Sequence, residues 1–158
     1  FNRVKLPNGA IAVIDYSHTS DSLKNAIESA REIVDEEKRF GKVITIFGCG
    51  GNKDRTKRPV MGELATGLSD RAIITSDNPR FEEPMDIIDE IISGIKDKKN
   101  FEVIESREEA IKKGLEISRE GDIVLICGKG HETYQEVKGV RTHFDDKEIV
   151  GKYSHTAK

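Results

Sequence analysis

Short apolar runs alternate along this chain with segments of helical periodicity, and this alternation constrains the fold more than any other feature. The five runs are AIAVID (10–15), KVITIF (42–47), RAIITS (71–76), FEVIE (101–105) and DIVLIC (122–127). Their length and their β-branched residues are typical of buried β-strands. The segments between them carry apolar side chains three and four residues apart, which predicts amphipathic helices.

Capping residues and prolines mark where these helices begin. They are Ser20 or Asp21, Pro59, Pro84, and the capping-box pair Ser106 and Glu109. Gly41 ends the first helix. Beyond Tyr134 the pattern weakens, and we expect a β-hairpin around Lys138-Gly139 and a short helix from Asp145 or Asp146.

Strands and helices that alternate with short connections predict an α/β fold. The expected architecture is Rossmann-like, with a mostly parallel sheet, helices on both of its faces and a C-terminal hairpin. The length of 158 residues fits one domain that spans residues 1–158.

Composition excludes several classes of protein. With 26 basic and 29 acidic residues the net charge is −3, so we expect no nucleic-acid partner. No apolar run reaches the length of a membrane span, and the N-terminal residues do not resemble a signal peptide. The two cysteines, Cys49 and Cys127, lack CxxC spacing, which favours reduced thiols in a cytoplasmic protein.

Four polar loops, two of them rich in glycine, follow predicted strands. They span residues 15–21, 48–58, 76–80 and 128–132. In parallel α/β sheets ligands bind beyond the carboxyl ends of the strands, where such loops converge. We therefore expect the ligand site at this edge.

The loop after the second predicted strand combines glycines with four basic residues. The basic residues are Lys53, Arg55, Lys57 and Arg58. The spacing fits neither a P-loop nor the dinucleotide-binding fingerprint. Glycines that let the backbone approach a ligand, with cations behind them, favour anion binding. A plain turn with solvated lysines is the alternative.

The segment Asp77-Asn78-Pro79-Arg80 is more specific. Proline fixes the turn, arginine offers a planar fork that matches a carboxylate, and asparagine adds donors and an acceptor. This set suits a ligand that carries a carboxylate beside an amine. An ordinary Asn-Pro turn with an exposed arginine is the alternative.

The two remaining loops are weaker signals by themselves. In Gly128-Lys129-Gly130-His131-Glu132 the glutamate can accept hydrogen bonds from an ammonium group. In Asp15-Tyr16-Ser17-His18-Thr19 the aspartate can hold ribose hydroxyls and the tyrosine can pack on a base, although a helix-capping turn is as plausible. No carboxylate–histidine spacing indicates a metal site.

Taken together and in this order, the four loops resemble those of the Mur ligases, ATP-dependent amide-forming enzymes of peptidoglycan synthesis. The resembling segments also include Lys57-Arg58-Pro59 and the closing Phe144-Asp145-Asp146, and they cover about residues 4–150. The resemblance is to the third, C-terminal domain of a three-domain ligase, in the branch that adds meso-diaminopimelate. It implies that the UDP-sugar domain and the central ATPase domain are absent from this chain.

The resemblance also implies roles for individual residues. Lys53, Asp77, Asn78, Arg80, Gly128 and Glu132 would bind meso-diaminopimelate or a close diamino-diacid such as lanthionine. Asn78 and Arg80 would hold its distal carboxylate and amino group, and the Gly128 carbonyl and Glu132 would bind the same end. Asp15, Tyr16 and His18 would line the nucleotide.

One departure concerns the basic loop. Family members usually carry Asp-Arg-Asp where this chain has Asn52-Lys53-Asp54, so Lys53 keeps the charge of the family arginine but loses its fork.

The family reaction implies ATP and Mg²⁺ as cofactors, bound mainly by the absent central domain. ATP phosphorylates the D-glutamate γ-carboxylate of UDP-N-acetylmuramoyl-L-alanyl-D-glutamate, and the amine of the diamino acid attacks the acyl phosphate. Without a P-loop, this chain would be an amino-acid-binding lid with no catalytic residues of its own.

Two other classes of function stay open at this stage. One is a stand-alone α/β module that binds a nucleotide or an amino acid without chemistry. The other is a small dinucleotide-dependent oxidoreductase, against which the missing third glycine argues.

Overall fold

A six-stranded, mostly parallel sheet forms the centre of the protein. The computed structural model describes residues 2–17, 19–36, 41–129 and 132–157. The strands of the sheet are β1 (Asn2–Lys5), β2 (Ile11–Asp15), β3 (Val43–Phe47), β4 (Arg71–Ile74), β5 (Phe101–Val103) and β6 (Ile123–Cys127). They lie in the order β1-β2-β6-β3-β4-β5, and β2 to β6 are mutually parallel. The five predicted strands and the parallel sheet are therefore confirmed.

The sequence did not predict β1, which pairs antiparallel with β2 from Asn2↔Ile14 to Lys5↔Ile11. This strand is short, sits at the sheet edge and is mostly exposed, so it carries no apolar run. Because of β1 the sheet is mixed, with a single antiparallel edge.

Helices cover both faces of the sheet, as predicted. They are α1 (Ser20–Glu36), α2 (Lys57–Leu68), α3 (Pro84–Ile92), α4 (Arg107–Ile117) and α5 (Asp146–Tyr153). Helices α1, α2 and α3 contribute to one apolar core, and α4 and α5 to the other. The Ser106 hydroxyl accepts a hydrogen bond from the Glu109 amide, so Ser106 caps α4 through one of the two bonds of the predicted capping box. In the described part of the chain no helix is both long and apolar enough to cross a membrane.

The predicted hairpin is confirmed as β7 (Tyr134–Val137) and β8 (Val140–His143), a separate two-stranded sheet. At its turn Lys138 and Gly139 both have positive φ, 52° and 80°. Two consecutive positive φ values match the right-handed twist of the flanking strands.

A fully buried ion pair ties the carboxyl edge of the sheet together. Arg107 donates to both carboxylate oxygens of Asp146, from Nε and from Nη2, at 2.8 Å each. The same guanidinium donates to the carbonyls of Ser76 (3.2 Å) and Cys127 (3.0 Å). Burial alone would lower the pKa of Arg107, but Asp146 outweighs burial and raises it, so the pair stays charged. One side chain thus joins α4, α5, the segment after β4 and the end of β6.

The loops after β3 and β4 pack directly on each other. The Gly51 amide donates to the Asn78 carbonyl at 2.7 Å. A Cβ at Gly51 would lie 1.8 Å from the Pro79 carbonyl oxygen, and one at Gly48 would lie 2.3 Å from that of Thr75. These two glycines are therefore required by loop–loop packing. The close approach that these two glycines allow is to the neighbouring loop, and an approach of their backbone to a ligand stays a prediction.

Arg58 and Glu82 fasten the same two loops. The buried Arg58 guanidinium donates to Glu82 Oε2 at 2.8 Å and to the Gly50 carbonyl at 2.9 Å. The Asn52 amide also donates to Glu82 Oε2, at 2.6 Å. The hydrogen bond from Arg58, supported by that from Asn52, lowers the pKa of Glu82 to about 2.

Replacement of Asp146 by asparagine should leave the Arg107 charge buried without a counterion. Loss of one partner of a buried pair costs about 3–5 kcal/mol, so the free energy of unfolding should fall by that amount. Urea denaturation followed by circular dichroism measures it. Glu148→Gln on the same helix is the matched control, because Glu148 pairs with His143 at the exposed surface and should contribute below about 1 kcal/mol. Equal losses in the two variants would contradict the proposed importance of the buried pair.

The stability contributed by Glu82 should depend on pH. Its pKa is depressed in the folded state, so the contribution is complete above the ordinary value of 4.5 and is lost as the pH falls from there through about 2. Because the side chain is partly exposed, we expect roughly 1–2 kcal/mol. The difference in unfolding free energy between wild type and Glu82→Gln should shrink as the pH falls from about 7, by roughly half of this amount at about pH 3, because the rest is lost only as the pH falls through about 2. A difference that stays constant with pH would refute this role for Glu82.

Candidate functional site

A cavity of about 330 Å³ opens at the carboxyl edge of the sheet, where the sequence predicted the ligand site. Its lining residues come from all four polar loops: Tyr16, Gly50, Lys53, Lys57, Asp77, Asn78, Arg80 and Glu132. Six of the nine predicted site residues are among them. The volume lies in the range of small-molecule sites.

Two other predicted residues, Asp15 and Gly128, lie at the same edge but do not line the cavity. The Gly128 amide donates to the Asp15 carbonyl at 3.3 Å, and the Asp15 carboxylate contacts the Ser17 hydroxyl. Gly128 has a φ of 117°, which favours glycine whatever the ligand. His18, the ninth predicted residue, and the loop residues Gly130 and His131 lie outside the described residues.

Lys129 organises the Asp77-Asn78 part of the cavity wall from beneath. Its fully buried ammonium donates to Asn78 Oδ1 and to the Tyr134 carbonyl, at 2.8 Å each. It also lies 3.2 Å from Asp77 Oδ1, in an ion-pair contact whose angle is not that of a directed hydrogen bond. Asp77 therefore serves this internal lysine, although it borders the cavity.

The hairpin docks against the same loop. The Glu136 amide donates to Asn78 Oδ1 at 2.9 Å, and the Glu136 carbonyl accepts from the Arg80 amide at 3.0 Å. The Lys138 amide donates to the Arg80 carbonyl at 2.6 Å. Arg80 thus pairs with the hairpin edge, and it does so in the left-handed region, with a φ of 54°. The backbone bonds on both of its sides offset the roughly 1–2 kcal/mol that this conformation costs.

The Arg80 guanidinium is held at one end only. Nη1 donates to the Gly51 carbonyl at 3.0 Å and to the Asn78 carbonyl at 3.3 Å. No hydrogen bond joins its Nε or Nη2 to another described residue. That edge of the fork can meet a carboxylate in a bidentate fashion.

Glu132 supplies the acceptor side of the cavity. Its Oε2 accepts from the Tyr134 hydroxyl at 3.3 Å. Its Oε1 is buried, and none of the described residues donates a hydrogen bond to it. A buried carboxylate oxygen without a donor is costly, so this atom is suited to accept from a ligand ammonium or hydroxyl.

The basic cluster divides into two pairs. Arg55 and Arg58 bind carboxylates of the protein itself: Arg55 donates to Glu90 at 2.6 Å, and Arg58 to Glu82. Only Lys53 and Lys57 border the cavity. The expectation that all four cations serve an anionic ligand is therefore wrong for the two arginines, because acidic residues of the following loop and α3 lie opposite them.

Neither cysteine is placed for nucleophilic chemistry. Cys49 and Cys127 are both free thiols, and both are buried. Burial raises the pKa of Cys49 to about 12 and raises that of Cys127 as well. Within the described ranges, no group of three or more His, Cys, Asp or Glu side chains is placed to hold a metal ion.

No individual role was predicted for Gly50 or Lys129, and Lys57 was placed only in the four-residue basic cluster. Lys57 and Gly50 belong to the basic loop of residues 48–58, but their position on the cavity wall depends on where α2 begins. Lys129 stands between two glycines in a loop, so its complete burial has no signal in the hydrophobic pattern. The sequence signal that could have identified Lys129 is its place in the motif that ends in Glu132.

The family model described as Mur ligase, glutamate ligase domain, matches residues 1–130 of the chain. A relative from Bacteroides fragilis, named UDP-N-acetylmuramoyl-L-alanyl-D-glutamate–2,6-diaminopimelate ligase, is 47% identical over 152 residues. The match covers 95% of this chain and 31% of that protein. The chain thus spans about a third of the length of this relative.

Solved structures agree with the sequence comparisons. A structure of a UDP-N-acetylmuramoyl-L-alanyl-D-glutamate–2,6-diaminopimelate ligase superposes with a TM-score of 0.88 and 37% identity, over 98% of this chain and 31% of that chain. A single domain from a Haemophilus ducreyi protein, described as a UDP-N-acetylmuramate:L-alanyl-γ-D-glutamyl-meso-diaminopimelate ligase, has the same fold. It covers 99% of this chain and 98% of that one, with a TM-score of 0.61 and 11% identity.

The strand order, the loops that converge at the carboxyl edge and these matches lead to one conclusion: the chain belongs to the Mur ligase family.

Proposed function

We propose that this chain is the C-terminal, amino-acid-binding domain of a three-domain ligase. The whole protein would add meso-diaminopimelate, or a close diamino-diacid, to UDP-N-acetylmuramoyl-L-alanyl-D-glutamate. Support comes from the names of the relatives and from the share of their length that the chain covers. The single observation that carries the substrate class is the division of the cavity into a donor side and an acceptor side.

The donor side consists of Arg80 and Asn78. The Nε–Nη2 edge of Arg80 is available for a carboxylate. Among the described residues, both hydrogen bonds of the Asn78 side-chain amide are accepted by its oxygen. The acceptor side is Glu132 Oε1. An amino acid whose side chain ends in a carboxylate and an ammonium on one carbon satisfies both sides. Lysine would leave the arginine unpaired, at a large cost in binding.

The remaining predicted residues take less specific roles. Lys53 and Lys57 add positive charge to the cavity wall, which suits a second carboxylate or a phosphoryl group. A role for the Gly128 carbonyl stays a prediction, since Gly128 does not line the cavity. By holding the diamino acid, the domain would present its other amine to the acyl phosphate formed elsewhere in the protein.

ATP and Mg²⁺ are proposed for the whole ligase and not for this domain alone. The exposed Tyr16 ring lines the cavity and can pack on a base, whereas the Asp15 carboxylate contacts Ser17. The described carboxylates form no metal-binding group. As the family resemblance implies, magnesium would be bound mainly by the central domain of the whole ligase, where it would stabilise the phosphoryl group in transfer.

The competing proposal, a binding module without chemistry, makes a simple prediction about the parent gene. A ligase of the Mur family should carry a Gly-x-x-x-x-Gly-Lys-Ser/Thr segment upstream of Phe1, whose backbone amides and lysine hold the phosphates of ATP. A parent reading frame without this segment would leave the binding module as the better proposal.

The substrate proposal is tested on the full-length protein by phosphate release with meso-diaminopimelate, lysine and lanthionine. We expect turnover with meso-diaminopimelate and the UDP-linked dipeptide, and little with lysine. Turnover with lysine alone would exclude the role assigned to Arg80.

Replacement of Arg80 by alanine in the full-length protein should raise KM for meso-diaminopimelate roughly 30-fold or more, because the ligand carboxylate loses a charged, two-bond partner. The KM of Arg80→Lys should lie between those of wild type and Arg80→Ala, since lysine keeps the charge but lacks the planar fork of arginine. Steady-state kinetics with each amino acid measures both effects.

Lys138→Ala is the matched control for Arg80→Ala. Lys138 has nearly the same backbone conformation, with a φ of 52°, but is exposed at the hairpin turn and does not line the cavity. It therefore carries the same conformational cost of an alanine in the left-handed region. An equal rise of KM in the two variants would show that Arg80 acts through its backbone and not its guanidinium.

A further inference from the structure

Asn78 can face a ligand in two ways, with its amide oxygen or with its NH₂ group. Which one it presents decides whether it supports a carboxylate or an ammonium group. An isolated asparagine side chain adopts both orientations with little difference in energy. The specificity of the cavity therefore depends on whatever fixes this amide.

Two donors converge on the oxygen of Asn78. They are the Lys129 ammonium at 2.8 Å and the Glu136 amide at 2.9 Å. The backbone amide is fixed by the hairpin, and the ammonium has no acceptor capacity at all. Were the side-chain amide reversed, its NH₂ group would face two donors, one of them a buried cation. Only the orientation with the oxygen inward is compatible with these neighbours.

Lys129 itself is firmly held. Its side chain is completely buried, its second hydrogen bond goes to the Tyr134 carbonyl, and Asp77 lies 3.2 Å away as its counterion. Burial lowers the pKa of Lys129, whereas Asp77 acts in the opposite direction. The Tyr134 bond also joins the lysine to the first residue of the hairpin. Lys129 thus connects three parts of the cavity wall: the Asp77-Asn78 turn, its own loop and the start of β7.

We propose that Lys129 is a positioning residue that turns the Asn78 NH₂ group toward the cavity. Asn78 and Arg80 then present only donors, so this side of the cavity selects a carboxylate and rejects an ammonium group. The ammonium is left to Glu132 on the opposite side. This inference rests on the proposed function. It assigns the selectivity for a diamino-diacid over lysine to Lys129, a side chain that does not line the cavity.

The test uses Lys129→Met in the full-length protein, since methionine approximates the length of lysine without charge or donors. KM for meso-diaminopimelate should rise about tenfold or more, while kcat changes less than about twofold. The preference for meso-diaminopimelate over lysine should shrink by a similar factor. A purely structural role would reduce the active fraction, and so kcat, equally for both substrates.

Val150→Ala is the matched control. Val150 is fully buried in the core beneath α5 and does not line the cavity, so its truncation destabilises the domain without a change in Asn78. Its KM values should match those of wild type. If Lys129→Met keeps the wild-type KM and substrate preference, the inference is wrong.

A second measurement does not depend on the folding of a variant. A crystal structure of the unaltered full-length protein with meso-diaminopimelate should keep Lys129 Nζ on Asn78 Oδ1, with Nδ2 beside a ligand carboxylate. Loss of the Lys129 contact, or an ammonium beside Asn78, would overturn the inference. Failure of the unaltered protein to use meso-diaminopimelate would instead refute the proposed function.

Discussion

The buried guanidinium of Arg107 is the interaction on which the geometry of the cavity depends. The two carbonyls that it binds belong to Ser76 and Cys127, the residues immediately before Asp77 and Gly128. Strand β3 separates the strands that carry them, so no ladder hydrogen bond could set this distance directly. Asp146 keeps the charge neutralised in place, and in doing so anchors the start of α5. The side-chain carboxylate of Asp146 therefore controls the spacing of two loops that lie far from it in sequence.

Sequence periodicity was enough to predict the layers of this fold, but not its edge strand. The five apolar strands, the five helices and the hairpin follow from patterns that do not require knowledge of distant contacts. Strand β1 was not predicted, because an exposed edge strand of four residues is stabilised by pairing with β2 and not by apolar burial. Its antiparallel direction places Asn2 near the carboxyl edge, the edge that carries the cavity.

The candidate site was predictable to the level of its loops, but not to the level of which atoms face a ligand. Arg58 and Arg80 both follow glycine-rich or proline turns. The Arg58 guanidinium is paired with Glu82, whereas Arg80 keeps one edge of its guanidinium available for a ligand. Likewise, Asp77 and Glu132 are both carboxylates of the motifs, and Asp77 has an internal cation where Glu132 Oε1 has no donor among the described residues. These differences arise from tertiary pairing with side chains tens of residues away, which a local pattern does not encode.

The docking of the hairpin on Arg80 has a consequence for how such domains diverge and can be redesigned. The family match ends at residue 130, and the hairpin begins at Tyr134. The tetrapeptide Asp77–Arg80 thus lies inside the stretch that the family model matches. The hairpin backbone that contacts its asparagine and its left-handed arginine lies outside that stretch, although within the longer match to the Bacteroides fragilis relative. The geometry of the tetrapeptide is in this sense a property of two segments joined in space. Transplanting the tetrapeptide alone into another α/β domain would transfer the residue types. It would not transfer the hairpin backbone that orients the asparagine amide and holds the arginine in its left-handed conformation.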